Sequence, residues 1–456
     1  MKLVPTNRLI FAAGLVFLPL SLWVAFMPDK TTLAVLLGGA LVALVIFDAF
    51  KAPGQLSGLG VSLPEIVRLS KHRNADIEIT IENEKMQLGR IRLGLPFPAA
   101  VYSPIKELVS RLPSDSVYSV LRWPCKGLQQ GSTILDKCYL EAISPRGFWA
   151  VRRSFPARLE LRVYPNLLVE RKNLSSLYLK RGLGIHTQRQ VGKGREFEQL
   201  REYFPGDSFE DIHWKATAKR GQPITKVFQI ERTQQIYVII DSSRLSARPI
   251  ALDSDNLKGL GPEEVTYTST ILERYVTAAL VMCLAAERQG DLFGLMTFND
   301  RVHHYLGAKN GKSHFNSCRD AIYTLQPRMV APDFTELFAF IGTRVRRRAL
   351  LVFLTHLDDP VLAESFADSI DIISRKHVVL VNMLRPAQAR PMFSSTPAAA
   401  VDELYQYLGG HLVWKGLRET EKILQRRGAD FAMLDNETLC TELISQYLTL
   451  KRRQVL

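Results

Sequence analysis

The sequence predicts three structural classes in succession: a transmembrane helical hairpin, an antiparallel β-sandwich, and an α/β doubly wound parallel sheet. Three observations carry this reading. Two charge-free apolar runs stand at the start, Leu9 to Pro28 and Thr31 to Phe47. Short runs of alternating apolar and polar residues fill Ile66 to Pro165. From Ile236 onward, nearly all-apolar strand candidates alternate with longer helical stretches.

The apolar runs are 20 and 17 residues long. At about 1.5 Å per residue each reaches across a hydrocarbon core of about 30 Å, the second near the lower limit. Pro28-Asp29-Lys30 leaves room only for a tight turn, so the two form a hairpin over residues 1–52. Trp23, Phe26 and Phe47 sit near the expected interfaces, where aromatic rings are favoured. A cleaved signal peptide does not fit, because no A-x-A site closes the first run and a second run follows at once. Lys2 and Arg8 precede the hairpin; Lys51, Arg68, Lys71 and Arg73 follow it. This positive-inside bias places both termini and everything after residue 52 in the cytoplasm.

Ala52-Pro53-Gly54 to Gly60 reads as a linker, with a β-sandwich domain over residues 60–166. Ile77, Ile79 and Ile81 alternate with polar residues, as do Ile91, Leu93 and Leu95. Val117–Arg122, Ile134–Ile143 and Leu159–Val163 are further strands, and many short alternating runs between turn residues indicate an antiparallel sandwich. Residues 167–234 form a charged and aromatic connecting segment. The last domain, 235–456, has strands at Ile236–Ile240, Leu292–Phe298, Leu350–Thr355, Val378–Leu384 and Asp430–Leu434. Helices are expected over Glu263–Arg288, His314–Leu325, Thr335–Val345, Val361–Ser374 and Glu437–Lys451. Such alternation argues a parallel sheet covered on both faces.

The 456 residues carry a net charge of +14, which permits anionic partners without choosing one. The basic runs around Arg344–Arg348 and Lys451–Arg453 read as solvated helix ends, and no aromatic interleaving marks a nucleic-acid platform. Five cysteines at wide, irregular spacing form neither a disulfide ladder nor a zinc ribbon, which fits a reducing compartment.

The connecting segment is the densest stretch of the chain. Arg195, Glu196, Glu198, Arg201, Glu202, Asp207, Glu210 and Asp211 interleave with Phe197, Tyr203, Phe204, Phe209 and Trp214, and Pro205-Gly206-Asp207 marks a turn. The pattern Gly194, Glu196, Phe197, Leu200, Arg201, Tyr203, Gly206, Asp207, Ile212, Trp214, Ala218 resembles the signature of the bacterial domain-of-unknown-function family fifty-eight. The resemblance covers nearly the whole chain. It implies a membrane-anchored protein whose last domain is similar to von Willebrand factor A, often associated with AAA+ ATPases of the MoxR type. It implies no settled activity. Glu196, Arg201, Tyr203, Gly206, Asp207, His213 and Trp214 are the candidate partner-binding or structural residues of this clasp.

In a doubly wound sheet, ligands sit at the carboxyl ends of the strands. Three loops are expected there: Asp241–Ser246, Pro332–Thr335 and Thr355–Asp359. Von Willebrand A-like domains hold a divalent metal, Mg²⁺ above all, at this place through D-x-S-x-S, a Thr and an Asp. Asp241, Ser243 and Thr335 match that set, whereas Leu245 stands at the second Ser and His356 at the Asp. Leu offers no ligand, and imidazole suits Zn²⁺ better than Mg²⁺. No cofactor is therefore expected, and the adhesion site reads as degenerate. Gly307–Ser313 spaces its glycines one residue too short for a phosphate loop, and no hydrolase motif is present.

Two function classes follow. The first is a non-catalytic scaffold in the bacterial inner membrane. It would bind lipid through the hairpin and a protein partner, a MoxR-type AAA+ ATPase or its client, through the cytoplasmic domains. No nucleic acid or small-molecule substrate is expected. The alternative is a metal-dependent hydrolase or adhesion protein using Asp241, Asp358 and Asp359.

Overall fold

The computed structural model describes residues 1–26, 31–84, 90–113, 116–168, 170, 172, 191–205, 207–229, 234–250, 269–386, 389–392 and 401–453, with backbone alone for 191–199 and 227–229. The chain divides into two compact units, Met1–Asn166 and, in the main, Leu167–Leu456. The first holds two apolar helices and two β-sheets; the second is mixed α/β around a mixed sheet.

In the first unit, strand β1 (Lys2–Pro5) leads into helix α1 (Asn7–Phe26), and α2 (Thr31–Lys51) follows. Both helices are long and apolar enough to cross a membrane, and no residue of α1 is buried by the protein. Small residues let the pair close: Ala34 and Gly38, one turn apart on α2, are buried, and a β-carbon at Gly38 would lie 3.3 Å from Phe17.

Nine more strands build the two sheets: β2 (Leu59–Ser62), β3 (Ile66–Ser70), β4 (Asn74–Asn83), β5 (Arg90–Gly94), β6 (Val101–Tyr102), β7 (Leu108–Arg111), β8 (Tyr118–Gly127), β9 (Gly131–Ile143) and β10 (Trp149–Tyr164). One sheet runs β1-β10-β9-β5-β7, with β3 also beside β10; the other runs β2-β4-β8-β6. Period-two patterning drives this, since Ile77, Ile79 and Ile81 are fully buried against Trp123, Leu140, Leu159 and Leu161. The expected antiparallel arrangement needs one correction: β3 pairs with β10 in parallel. The stretch expected to be a linker is instead structured. Ala52–Leu56 is a short 3₁₀ helix whose Ala52 and Leu56 are wholly buried in the sandwich core.

The N-terminal strand binds the membrane hairpin to this unit. Residues Lys2–Pro5 of β1 lie antiparallel to Trp149–Arg152 of β10. Thr6 donates to the carbonyls of Gly147 and Phe148.

In the second unit, β11 (Val191–Glu202) and β12 (Ile224–Gln229) form an antiparallel hairpin, with helix α3 (Trp214–Arg220) in the connection. The large sheet is built from β13 (Gln235–Asp241), β16 (Leu292–Phe298), β17 (Val302–Lys309), β18 (Leu350–Leu354), β19 (Val378–Leu384) and β20 (Ala429–Leu434), in the order β17-β16-β13-β18-β19-β20. A two-residue ladder, β14 (Pro249–Ile250) with β15 (Ser269–Thr270), stands apart. Five strands of the large sheet are parallel, but the edge strand β17 is antiparallel, so the sheet is mixed rather than parallel throughout.

Helices α4 (Ile271–Arg288), α5 (Lys312–Ile322), α6 (Phe334–Arg344), α7 (Pro360–Ser369), α8 (Asp371–Ser374), α9 (Val401–Arg426) and α10 (Leu439–Arg452) complete this unit. Apolar clusters cover both sheet faces. One is built on α4, α5 and α10, the other on α6 to α9, where Phe334, Phe338, Phe353 and Phe366 pack ring to ring. Thr270 caps α4 with a reciprocal Glu273 capping box, so the helix begins later than its apolar pattern suggests. The expected helix over Val361–Ser374 is divided at Ile370, and α9 answers to no expected element. Lys451 is not a solvated tail cation: its ammonium meets buried Asp291 at 2.6 Å.

Candidate functional site

The carboxyl ends of β13, β16 and β18 converge because β13 lies between the other two. Ile240 stands opposite Leu354 in the β13–β18 register, so the next residues, Asp241 and Thr355, become neighbours. Asp241 Oδ2 accepts the Thr355 hydroxyl at 2.7 Å, and Oδ1 accepts the Ser243 N–H at 2.8 Å. Burial raises the carboxyl's pKa, while hydrogen bonds from Thr355 and Ser243 oppose the rise. Ser243 Oγ is itself buried and meets no hydrogen-bond partner at good geometry. Ser242 ties β13 to β16 through two bonds to the Phe298 carbonyl, and Ser246 closes the turn on the Ser243 carbonyl.

Leu245 is buried and contributes no oxygen. Thr335, expected among the metal ligands, is exposed at the start of α6, with its hydroxyl 3.5 Å from that of Ser369. The hydroxyl beside Asp241 belongs to Thr355. That placement was open to sequence reasoning, because Thr355 ends the strand beside β13.

His356 faces Tyr275 on α4, with Nδ1 3.0 Å from the phenol oxygen. The same phenol donates toward the Thr355 carbonyl and accepts the Leu384 N–H, so Tyr275 joins three segments from below. Burial pushes the His356 pKa down to about 4, with Asp358 opposing and Arg248 reinforcing the shift. A neutral imidazole is no charge partner for Asp241.

The acidic residues of the third loop are engaged by arginines of the first. Arg248 forms an ion pair with Asp358, and Arg244 lies 3.8 Å from Asp359. Asp359 also caps α7 by accepting the Val361 N–H. Two guanidinium groups thus bridge the first and third loops. The arginines are about half exposed, and exposed pairs contribute roughly 0–1 kcal/mol each. Their main effect is to neutralise the carboxylates. Positions 245 and 356 offer no side-chain oxygen, and Asp358 already faces a cation. Sequence reasoning missed Tyr275 and Arg248, whose partners lie 81 and 110 residues away.

The signature segment forms a latched hairpin. Arg201 Nη2 meets Asp207 Oδ1 at 2.7 Å, and Asp207 Oδ2 accepts the Phe204 N–H at 3.1 Å. The Phe204 N–H, then Arg201, holds the Asp207 carboxyl below its usual pKa. Arg201 also lies over the Phe204 ring, and Tyr203 stacks on Phe209. His213 is half-buried. Its Nδ1 accepts the Ala216 N–H and caps α3. Phe204, Phe209 and Trp214 remain 60%, 74% and 69% exposed. Gly206 lies outside the described residues, as does the side chain of Glu196.

The family model described as "Protein of unknown function DUF58" matches residues 199–249 and 263–391, which take in both the hairpin and the strand ends. This part of the chain belongs to the DUF58 family. No curated protein matches this chain. Among solved structures, it is similar to a conserved hypothetical protein BatB from Bacteroides thetaiotaomicron, at 13% identity and TM-score 0.28, over 48% of this chain and 99% of that one. An aerotolerance-related membrane protein from Bacteroides fragilis matches at 13% and TM-score 0.27, over 47% and 97%. An uncharacterized membrane spanning protein from Vibrio fischeri matches at 14% and TM-score 0.18, over 48% and 98%.

Proposed function

We propose that this DUF58 protein is a non-catalytic, membrane-anchored platform that binds another protein through the latched hairpin. The observation that carries this reading is the exposure of Phe204, Phe209 and Trp214 on a turn held by Arg201 and Asp207. Exposed aromatic side chains on a held backbone are the residues that most often dominate protein–protein binding. The partner is a MoxR-type AAA+ ATPase, or a client assembled with it, as the family resemblance implies.

The second unit is read as von Willebrand factor A-like, supported by the reversal of strand order at β13 with a loop site at its carboxyl end. Two helices cross the bacterial inner membrane, and both termini and both units face the cytoplasm. The β1–β10 ladder supports an even number of crossings, and the Lys and Arg flanking the hairpin support the side. Co-purification from detergent-solubilised membranes tests the partner. The ATPase is recovered with wild type and lost with Arg201→Ala/Trp214→Ala; equal recovery contradicts the hairpin as the contact surface.

A second reading keeps the strand ends as a metal-dependent site. The buried hydroxyl of Ser243 beside Asp241 favours it, and the arginines on Asp358 and Asp359 weigh against it.

A further inference from the structure

The first unit carries a half-open cavity of about 600 Å³ where the chain enters α1. Arg8, Arg90, Arg92 and Arg152 line it, with Glu141 its one carboxylate. That carboxylate is already shared, lying 2.6 Å from Arg152 and 3.5 Å from Arg92. Arg8 and Arg90 have no carboxylate partner among the described residues. The cavity therefore presents unneutralised guanidinium groups, which suit the paired oxygens of a phosphate diester.

Its depth in the bilayer follows from the helices. Arg8 is the second residue of α1, and the apolar run begins at Leu9. The other helix ends at Lys51, and Gln55 just beyond it lines the same cavity. Lys51 and Arg146 lie over the Phe47 ring, at 4.8 and 4.9 Å, which marks this level as the headgroup boundary. The amino terminus of α1 adds its own positive dipole end. Arg8 runs close over Gly147. Gly147 has φ of +83°, and a β-carbon there would lie 3.1 Å from Arg8 Nη1.

We propose that this cavity binds the headgroup of one anionic phospholipid, with its phosphate held by Arg8 and Arg90. Basic pockets beside membrane helices are where such headgroups are recognised. The lining has no aromatic cage, so it offers nothing to the quaternary ammonium of a zwitterionic choline lipid. The inference depends on α1 and α2 lying in the bilayer and is independent of the hairpin partner.

Thermal unfolding of the full chain in detergent tests it, with dioleoyl phosphatidylglycerol, dioleoyl phosphatidylcholine or inorganic phosphate added, together with mass-spectrometric counting of retained lipid. Wild type retains about one phosphatidylglycerol and is stabilised by it, and not by the other two. Arg8→Ala/Arg90→Ala unfolds near the wild-type temperature without lipid but needs about tenfold more phosphatidylglycerol for the same shift. Arg346→Ala/Arg347→Ala, an equal loss of charge elsewhere, behaves as wild type. An equal shift with phosphatidylcholine, an equal shift with phosphate alone, or an unchanged response of Arg8→Ala/Arg90→Ala overturns the proposal. Should the double variant fail to fold, Arg8→Lys/Arg90→Lys replaces it, and full retention of lipid by that variant counts against a bidentate guanidinium site.

Discussion

The Ser144 hydroxyl donates to Asp48 Oδ2 across 2.5 Å, joining the last turn of the second apolar helix to the loop between β9 and β10. Asp48 also accepts the backbone N–H groups of Arg146 and Phe148, at 3.2 and 3.3 Å. Trp149 completes the junction by donating its indole N–H to the Val45 carbonyl. A carboxylate at the end of an apolar helix thus organises a loop that the chain reaches 96 residues later.

Replacing Asp48 by Ala strands one buried hydroxyl and two backbone donors, each costing about 1–3 kcal/mol if left unmade. Asp48→Ala therefore lowers the unfolding temperature of the detergent-solubilised protein, followed by tryptophan fluorescence. Asp48→Asn, which still accepts, loses less. An unchanged midpoint for Asp48→Ala contradicts the junction.

Metal titration separates the two readings of the strand ends. Calorimetry with Mn²⁺ or Zn²⁺ gives no stoichiometric micromolar binding to wild type, since arginines already neutralise Asp358 and Asp359. Stoichiometric heat abolished by Asp241→Ala would favour the metal-dependent reading instead.

Stability falls on mild acidification. His377 Nδ1 accepts the Ala349 N–H at 3.2 Å, which only a neutral ring can do, and burial pushes its pKa down to about 4. In the unfolded chain a histidine titrates near 6.5, so between about 6.5 and 4 the unfolded state binds the extra proton. The stabilising difference is intact above that window and drains as pH falls through it, by about 1.4 kcal/mol per pH unit. His377→Asn keeps an acceptor and does not titrate, so its melting temperature declines less between pH 7 and 5. A parallel decline for both proteins contradicts this assignment.

Much of this was legible because its cause is local. Alternation alone buries Ile77, Ile79 and Ile81, and nearly all-apolar runs mark β13, β18 and β19. The helix α9 was hidden by its own composition. Gly409, Gly410 and Gly416 lower its propensity, and Val401, Leu404 and Tyr405 sit exposed on it. Strand β1 is only four residues long and stands directly before a membrane helix, so its ladder could not be read. The Arg248–Asp358 and Asp48–Ser144 pairs join residues far apart in the chain, and only the folded register brings them together.

Membrane sidedness is open to chemical labelling. All five native cysteines are buried, so single cysteines introduced by Lys2→Cys and Arg122→Cys report cleanly. The β1–β10 ladder requires the same answer from both sites. In intact spheroplasts an impermeant maleimide labels neither, and both react after lysis. Labelling of one but not the other contradicts the ladder, and labelling of both from outside contradicts the cytoplasmic placement.

The most direct measurement is the affinity of the co-purified ATPase for the full chain in nanodiscs, comparing wild type with Phe209→Ala/Trp214→Ala. Both side chains are largely exposed, so their removal leaves stability within about 0.5 kcal/mol. The platform reading predicts at least a roughly 30-fold weaker complex, as loss of a binding hot spot of about 2 kcal/mol requires. Equal affinity for the two proteins would contradict it.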